Sequence, residues 1–326
     1  MFAVLAVMMV LPGIMFAEGQ KEAAESKPVS LKLSHSYETT TAFHEGAIWA
    51  AEQIKERTDG RYSIEVFPSG ALGTEREVEE ALSIGTVDIG FVGPGHMAQT
   101  YAPISIHLAA FLWRDIDHFL KYPESNTYKE VTGEYEQRSG NHILALTYFG
   151  QRHVTSNVPL HTPKDFEGLK MRVPPVPIYM MFPEAVGANS TPINFNELYL
   201  ALQQGVVVAQ ENPLTTIKAK KFYEVQKYII LTGHMTDGFY TLIGDHVMSR
   251  LSDEDARIFR EVFEEAAIQT TQAIIEQENS LAKWFEEQGV EVIEVDRQLF
   301  MDACADSMTG DDLPWTQAQI DELKNL

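Results

Sequence analysis

Residues 29–95 run VSLKLSHSYETTTAFHEGAIWAAEQIKERTDGRYSIEVFPSGALGTEREVEEALSIGTVDIGFVGPG, and this stretch decides the fold. Its first six residues, Val29–Ser34, alternate apolar and polar side chains, the period of a half-buried strand. Ala47, Ile48, Ala51 and Ile54 then fall on one stripe of a helix predicted over about 41–58, and Asp59-Gly60 stops it. A second alternating strand is expected over 61–67, a helix over 75–84, and a short apolar strand over 87–92 that ends at Gly93-Pro94-Gly95. Strand, helix, strand, helix, strand is the order of a parallel sheet with right-handed crossovers. Ligands of such sheets gather at the carboxyl ends of the strands, which directs attention to 35–39, 70–75 and 93–97.

The order restarts further along. Strands are expected at 143–148, 170–173, 190–193 and 206–210, with helices at about 178–186 and 196–204, so the chain reads as two α/β lobes around a cleft. Between 252 and 288 a single helix is expected: Ser252 and Asp255 make a capping box, Ile258, Phe259, Val262, Phe263, Ala266 and Ala273 an apolar stripe, and Gly289 a stop. At 1.5 Å per residue it would be on the order of 50 Å long, more than one lobe can cover. The expectation is a helix spanning both lobes, which are then discontinuous: 30–149 with 238–270, and 150–237 with 271–326.

The chain has 326 residues, 44% of them hydrophobic, enough for a core in each lobe. Its 47 acidic against 25 basic residues give a formal charge of −22, interspersed rather than gathered in a tail. That balance argues against nucleic acid and anionic membranes as partners, while a few arginines in a cleft could still focus positive potential on a small acid. A single cysteine, Cys304, excludes an internal disulfide and leaves no thiolate zinc or redox pair. Residues 1–17, MFAVLAVMMVLPGIMFA, are apolar and uncharged and precede a polar segment, the outline of an export signal cleaved after Ala17; a mobile segment is expected over 18–29. No later run is long and apolar enough to insert in a bilayer after that cleavage.

Enzyme motifs are missing. There is no GxSxG, no GxxxxGK[ST] and no HExxH, and the Gly90–Gly95 glycines do not fit a dinucleotide fingerprint. The ten histidines are not spaced as metal ligands, so neither metal nor cofactor is expected. What remains is a polar set at predicted strand ends: His35, Glu75, Arg152, Arg172 and Asn212, with Phe195 nearby. Arg172 is the most telling member, because it stands inside the strand-like run Gly168-Leu-Lys-Met-Arg-Val-Pro174 and a guanidinium there offers a planar fork to a carboxylate.

That run, Phe195-Asn-Glu-Leu-Tyr-Leu-Ala-Leu-Gln203 and Gln210-Glu-Asn-Pro213 resemble the solute-binding proteins of tripartite ATP-independent periplasmic (TRAP) transporters. Pro68-Ser-Gly-Ala-Leu-Gly73, Leu82-Ser-Ile-Gly-Thr-Val-Asp-Ile89 and Gly150-Gln-Arg-His-Val-Thr-Ser-Asn157 add to the likeness, which runs from about residue 30 to 290 in order. The resemblance implies a two-lobed periplasmic binding protein fold and an exported protein that closes on an organic acid and hands it to a sodium-coupled TRAP permease. It implies that Arg172 salt-bridges the ligand carboxylate, that Arg152 is a second basic contact and that Asn212 helps hold the acid. Phe195 would pack on the ligand, and Glu75 and His35 would read its distal end. Sialic-acid-binding members carry an acidic residue where this chain has Gly93-Pro94-Gly95-His96, and a polar contact where it has Pro175, so sialic acid is not the expected ligand. Glu75 as an anion would disfavour a second carboxylate, which points to a monocarboxylate with hydroxyls, a uronate or aldonate; a C4-dicarboxylate or 2-oxo acid is the alternative ligand class. The other classes are an enzyme acting on an organic acid, for which His153 is the sole nearby candidate and strand alternation turns it away from Arg152, and a sensory ligand-binding protein.

Overall fold

A computed structural model describes residues 28–308 and 313–326. The expected export signal and residues 18–27 of the expected mobile segment lie outside the described residues, and Val29 already belongs to the first strand. The opening unit forms as predicted: β1 (Val29–Ser34), α1 (Ala42–Arg57), β2 (Tyr62–Phe67), α2 (Glu75–Ile84) and β3 (Ile89–Val92). Thr41 caps α1 by accepting from the His44 N–H, and Thr74 caps α2 in a capping box completed by Glu77. Both β2 and β3 pair in parallel with β1.

Two long strands then appear, β4 (Asn141–Ser156) and later β8 (Tyr228–Gly244). Between them β5 (Lys170–Val173), β6 (Asn189–Pro192) and β7 (Ala209–Pro213) repeat the first unit, with β6 and β7 again parallel to the strand they flank. The sheet order β2-β1-β3-β8-β4-β7-β5-β6 is therefore palindromic, with β9 (Glu291–Ile293) added beside β8. The long strands are antiparallel to each other and serve both halves: β8 gives 240–243 to β3, while β4 gives 152–156 to β7. Their pairing slips between Tyr148 and Gly150, where Gly150 has φ 136° and an added Cβ would lie 2.5 Å from Pro213 Cβ, so only glycine fits that crossing.

The long helix spans Asp253–Glu287, 35 residues, or about 50 Å. It packs along α1 and β4, and the Arg57 guanidinium donates to both Glu265 oxygens at 2.7 and 2.8 Å. Further on, Glu278 accepts from the Tyr148 hydroxyl at 2.7 Å and the Gln151 N–H at 3.0 Å, and Leu281 and Phe285 enter the apolar cluster of the second half. Ser252 caps it as expected, but the reciprocal half of the capping box is absent: the Asp255 carboxylate accepts instead from Arg61 at 2.6 Å and from the Ser252 hydroxyl. The last helix, Gln317–Lys324, returns to the first half, where Glu322 accepts from the Asn126 and Thr127 N–H groups. Among the described residues no helix is long and apolar enough to cross a membrane, and Cys304 is buried and free.

Candidate ligand-binding cleft

A cleft opens where the carboxyl ends of the strands of both halves meet. The first half contributes Ser36 and Tyr37 after β1, Thr74 and Glu75 at the start of α2, and Gly93 and His96 after β3. The second contributes Arg172, Pro174 and Pro175 on and after β5, Asn194–Asn196 after β6, and Asn212 on β7. Phe149 and Arg152 of β4 and Asp237, Gly238 and Phe239 of β8 form the floor where the halves join. Five of the six residues singled out from sequence, Arg152, Arg172, Asn212, Glu75 and Phe195, thus share one wall-to-wall site.

Arg172 is 1% exposed, so its guanidinium is buried rather than carried on the surface. Its Nε donates to the Ile193 carbonyl at 2.8 Å, fixing the guanidinium plane, while its buried Nη1 meets no partner. Burial, only partly offset by the charge of Glu211, pulls its pKa down to about 9, so it stays charged at neutral pH. A buried donor left unpaired costs about 1–3 kcal/mol and more when charged, which natural structures tolerate where a ligand supplies the missing partner.

Arg152 is different, because protein acids already occupy its fork. Its Nε and Nη2 donate to the Glu211 carboxylate, its Nη1 to Asp237 at 2.8 Å, and its guanidinium lies 4.8 Å from the Tyr179 ring centroid. Burial favours a neutral Glu211, but Arg152 and a contact from His234 outweigh it and hold that carboxyl below its usual range. Burial lifts Asp237 to about 6 against the pull of Arg152. Asn212 is held between Arg152, from which its Oδ1 accepts at 3.4 Å, and Gln210, to which its amide donates at 2.6 Å.

Glu75 faces the arginines across the cleft and accepts from the Gly93 N–H at 2.7 Å. Burial raises its pKa to about 7, against that hydrogen bond and the charges of Arg152 and Arg172. Phe195 forms part of the rim, under Lys220 whose Nζ sits 4.6 Å from the ring centroid and also pairs with Glu38 of the other half at 2.5 Å. His35 is not brought into the cleft. It is 1% exposed, stacks on Phe91, lies 3.1 Å from His44 Nδ1 and accepts from the Tyr37 N–H at 3.2 Å, so it holds from behind the turn that presents Ser36 and Tyr37. His153 points away from the cleft and accepts from the Gly233 N–H at 3.0 Å, as strand alternation requires.

Sequence reasoning passed over Tyr37, Tyr179, Asp237 and His96 as cleft residues. Asp237 carried no signal, because the strand that holds it is buried on both faces and shows no alternation. His96 stood in a loop already marked by the strand-end rule, and the turn Pro94–Met97 that carries it begins with a proline fitted to a first helical position.

A cleft between two palindromic halves, with one unpaired buried guanidinium inside it, defines a two-lobed binding protein for a small anion. Residues 33–309 match the model of the bacterial extracellular solute-binding proteins, family 7, and the chain belongs to that family, the solute-binding proteins of TRAP transporters. It is 32% identical over 281 residues to the sialic acid-binding periplasmic protein of Vibrio cholerae, covering 86% of this chain and 88% of that one. A TRAP periplasmic solute-binding protein from Bordetella bronchiseptica, with density assigned to pantoate, superposes with a TM-score of 0.87 at 31% identity over 91% of this chain and 98% of its own. One from Roseobacter denitrificans with bound L-galactonate gives 0.84 at 28% identity, over 89% and 98% of the two chains.

Proposed function

We propose that the chain captures an organic monocarboxylate bearing hydroxyl groups, an aldonate or uronate, in the periplasm and delivers it to a sodium-coupled TRAP permease. The observation that carries the reading is Arg172, buried, charged, held in plane through Nε and open at Nη1. The count of charges supports one ligand carboxylate rather than two: Arg152 is neutralised by Glu211 and Asp237, which leaves Arg172 as the cation without an ion-pair partner among the cleft residues. The hydroxyl-bearing acids of the Bordetella and Roseobacter proteins favour the same class.

Closure of the lobes would exclude water and strengthen the ion pair, and contacts from both lobes would favour the closed state. We place the lobe boundary at the crossing of β4 and β8 near Gly150 and Asp237–Gly238, in keeping with lobes of 30–149 with 238–270 and 150–237 with 271–308. Residues 313–326, first grouped with the second lobe, go with the first, because their helix docks at Asn126 and Thr127. A binding role rather than an enzymatic one is favoured because the cleft sets no nucleophile against a free base: Asp237 is engaged by Arg152 and Tyr179, Glu75 by Gly93, and His96 Nδ1 has no hydroxyl hydrogen-bonded to it.

The test is thermal unfolding against aldonates, uronates, C4-dicarboxylates, 2-oxo acids and sialic acid. A ligand at 1,000 times its Kd should add about 4 kcal/mol of stability. Stabilisation by dicarboxylates above all sugar acids would sink the monocarboxylate reading.

Glu75 gives this site a pH dependence. Its pKa near 7 means that a bound anion favours the protonated form, so affinity should fall as pH rises through about 7, by at most roughly tenfold per pH unit for one linked proton. Calorimetry above pH 7, where Asp237 with its pKa near 6 stays ionised, should show proton uptake on binding in buffers of different ionisation enthalpy, and Glu75→Gln should abolish it there. A Kd unchanged from pH 6 to 8.5 in the wild type would contradict this.

A further inference from the structure

Among the described residues, only two buried side-chain atoms without a hydrogen-bond partner belong to residues that line the cleft: Arg172 Nη1 and His96 Nδ1. Both stand in the same corner. Gly95, the neighbour of His96, lies against the turn that follows Arg172, so that a Cβ built on it would be 2.7 Å from the Tyr179 ring and 3.1 Å from Val176. That contact fixes the Pro94–Met97 turn against the chain leaving β5, and the charge of Arg172 acts on the His96 imidazole.

We propose that His96 reads the hydroxyl on the carbon next to the ligand carboxylate, which makes this protein selective for 2-hydroxy monocarboxylates. The inference rests on the carboxylate being held by Arg172. The His96 imidazole stays neutral in this corner, because burial and the charge of Arg172 both disfavour imidazolium, lowering its pKa to about 4. A neutral imidazole can donate or accept at Nδ1 according to tautomer, and a hydroxyl can answer either. A second carboxylate oxygen could only accept, so it answers one tautomer where a hydroxyl answers both. The 2-hydroxyl of a hydroxy acid lies one carbon from the carboxylate, so one ligand end can satisfy both unpaired atoms of this corner. A ligand without that hydroxyl leaves His96 Nδ1 buried and unpaired.

The test uses matched acids: D-erythronate with 3,4-dihydroxybutanoate, and D-gluconate with 2-deoxy-D-gluconate, each titrated by calorimetry into the wild type, His96→Ala, His96→Asn and Arg172→Ala. In the wild type the 2-hydroxy member of a pair that binds should be preferred by roughly ten- to a hundredfold, as expected for a buried polar group left unpaired by the analogue. His96→Ala should bring that ratio close to one while changing affinity for the deoxy member by less than about threefold, and His96→Asn, which keeps a polar group at the Nδ1 position, should restore part of the preference. Equal binding of the two members by the wild type, or equal weakening of both by His96→Ala, would overturn the assignment. Binding that depends on Arg172 but whose hydroxyl preference ignores His96 overturns this inference alone, whereas binding unaffected by Arg172→Ala, or absent for all four acids, overturns the carboxylate clamp with it.

Discussion

Arg172→Ala is expected to weaken binding of the preferred monocarboxylate by about 10²–10⁴-fold, the equivalent of the roughly 3–5 kcal/mol lost when one partner of a buried ion pair is removed. The reason is that, among the described residues lining the cleft, no other cation is free to take over. Arg152 lies in the same cleft, but Glu211 and Asp237 already engage its fork, and moving it to the ligand would strand two carboxylates. Arg172→Lys keeps a charge yet loses the Nε bond that holds the plane against the Ile193 carbonyl, so an intermediate loss, about tenfold or more, is expected. Stability should move the other way. In the empty protein Arg172 is a buried charge without an ion-pair partner, and Arg172→Met should leave the ligand-free unfolding midpoint equal or higher. Lost binding together with an undiminished midpoint separates a missing clamp from a damaged fold. Retained binding in the alanine variant would show that the carboxylate sits elsewhere.

The parts of the fold that could be read from sequence are those with a period. In the units β1 to β3 and β5 to β7, the alternation of β1 and β2, the helix stripes and caps, and the short apolar runs leading into β3 and β7 marked the elements within a few residues, although β3 and β7 are buried throughout. Of the elements that join the lobes, the long helix was legible from its stripe and cap, and the two long strands were not. Strand β8 is buried over nearly its whole length and carries Gly233, Gly238 and Gly244, so alternation is absent and glycines mimic turns. Strand β4 was seen only over 143–148, although it continues to Ser156 through the bulge at Gly150. The same division holds for the cleft. Arg172, Glu75 and Asn212 lie at strand or helix ends that the parallel-sheet rule marks, whereas Asp237 sits inside the unseen strand. Pairing was also beyond reach: both arginines were legible as cleft residues, but only the structure shows that one is neutralised and the other is not. His35 met the strand-end rule and still faces inward, because the turn after β1 spends its imidazole on Tyr37 and His44.

The neutralised arginine leads to the second large effect, on stability rather than affinity. Glu211 is 1% exposed, accepts from two Arg152 nitrogens and lies 3.4 Å from His234 Nε2. Through Arg152 it ties β7 to β4, and through the shared guanidinium to Asp237 of β8 and the Tyr179 turn. Glu211→Ala removes one of the two acids that compensate a fully buried cation, and the expected cost is about 3–5 kcal/mol. The urea midpoint should fall with the slope unchanged, since the surface exposed on unfolding is the same. Glu211→Gln keeps the shape and an acceptor and should cost less. The same variant tests the charge count from another side: with Glu211 gone, Arg152 has donors to spare in the cleft, and succinate, expected to bind poorly to the wild type, should bind at least about tenfold better, the gain of one charge-assisted pair. A Glu211→Ala protein as stable as the wild type and still closed to dicarboxylates would mean that Arg152 is not neutralised by this carboxylate, and the argument for a single ligand carboxylate would lose its electrostatic basis.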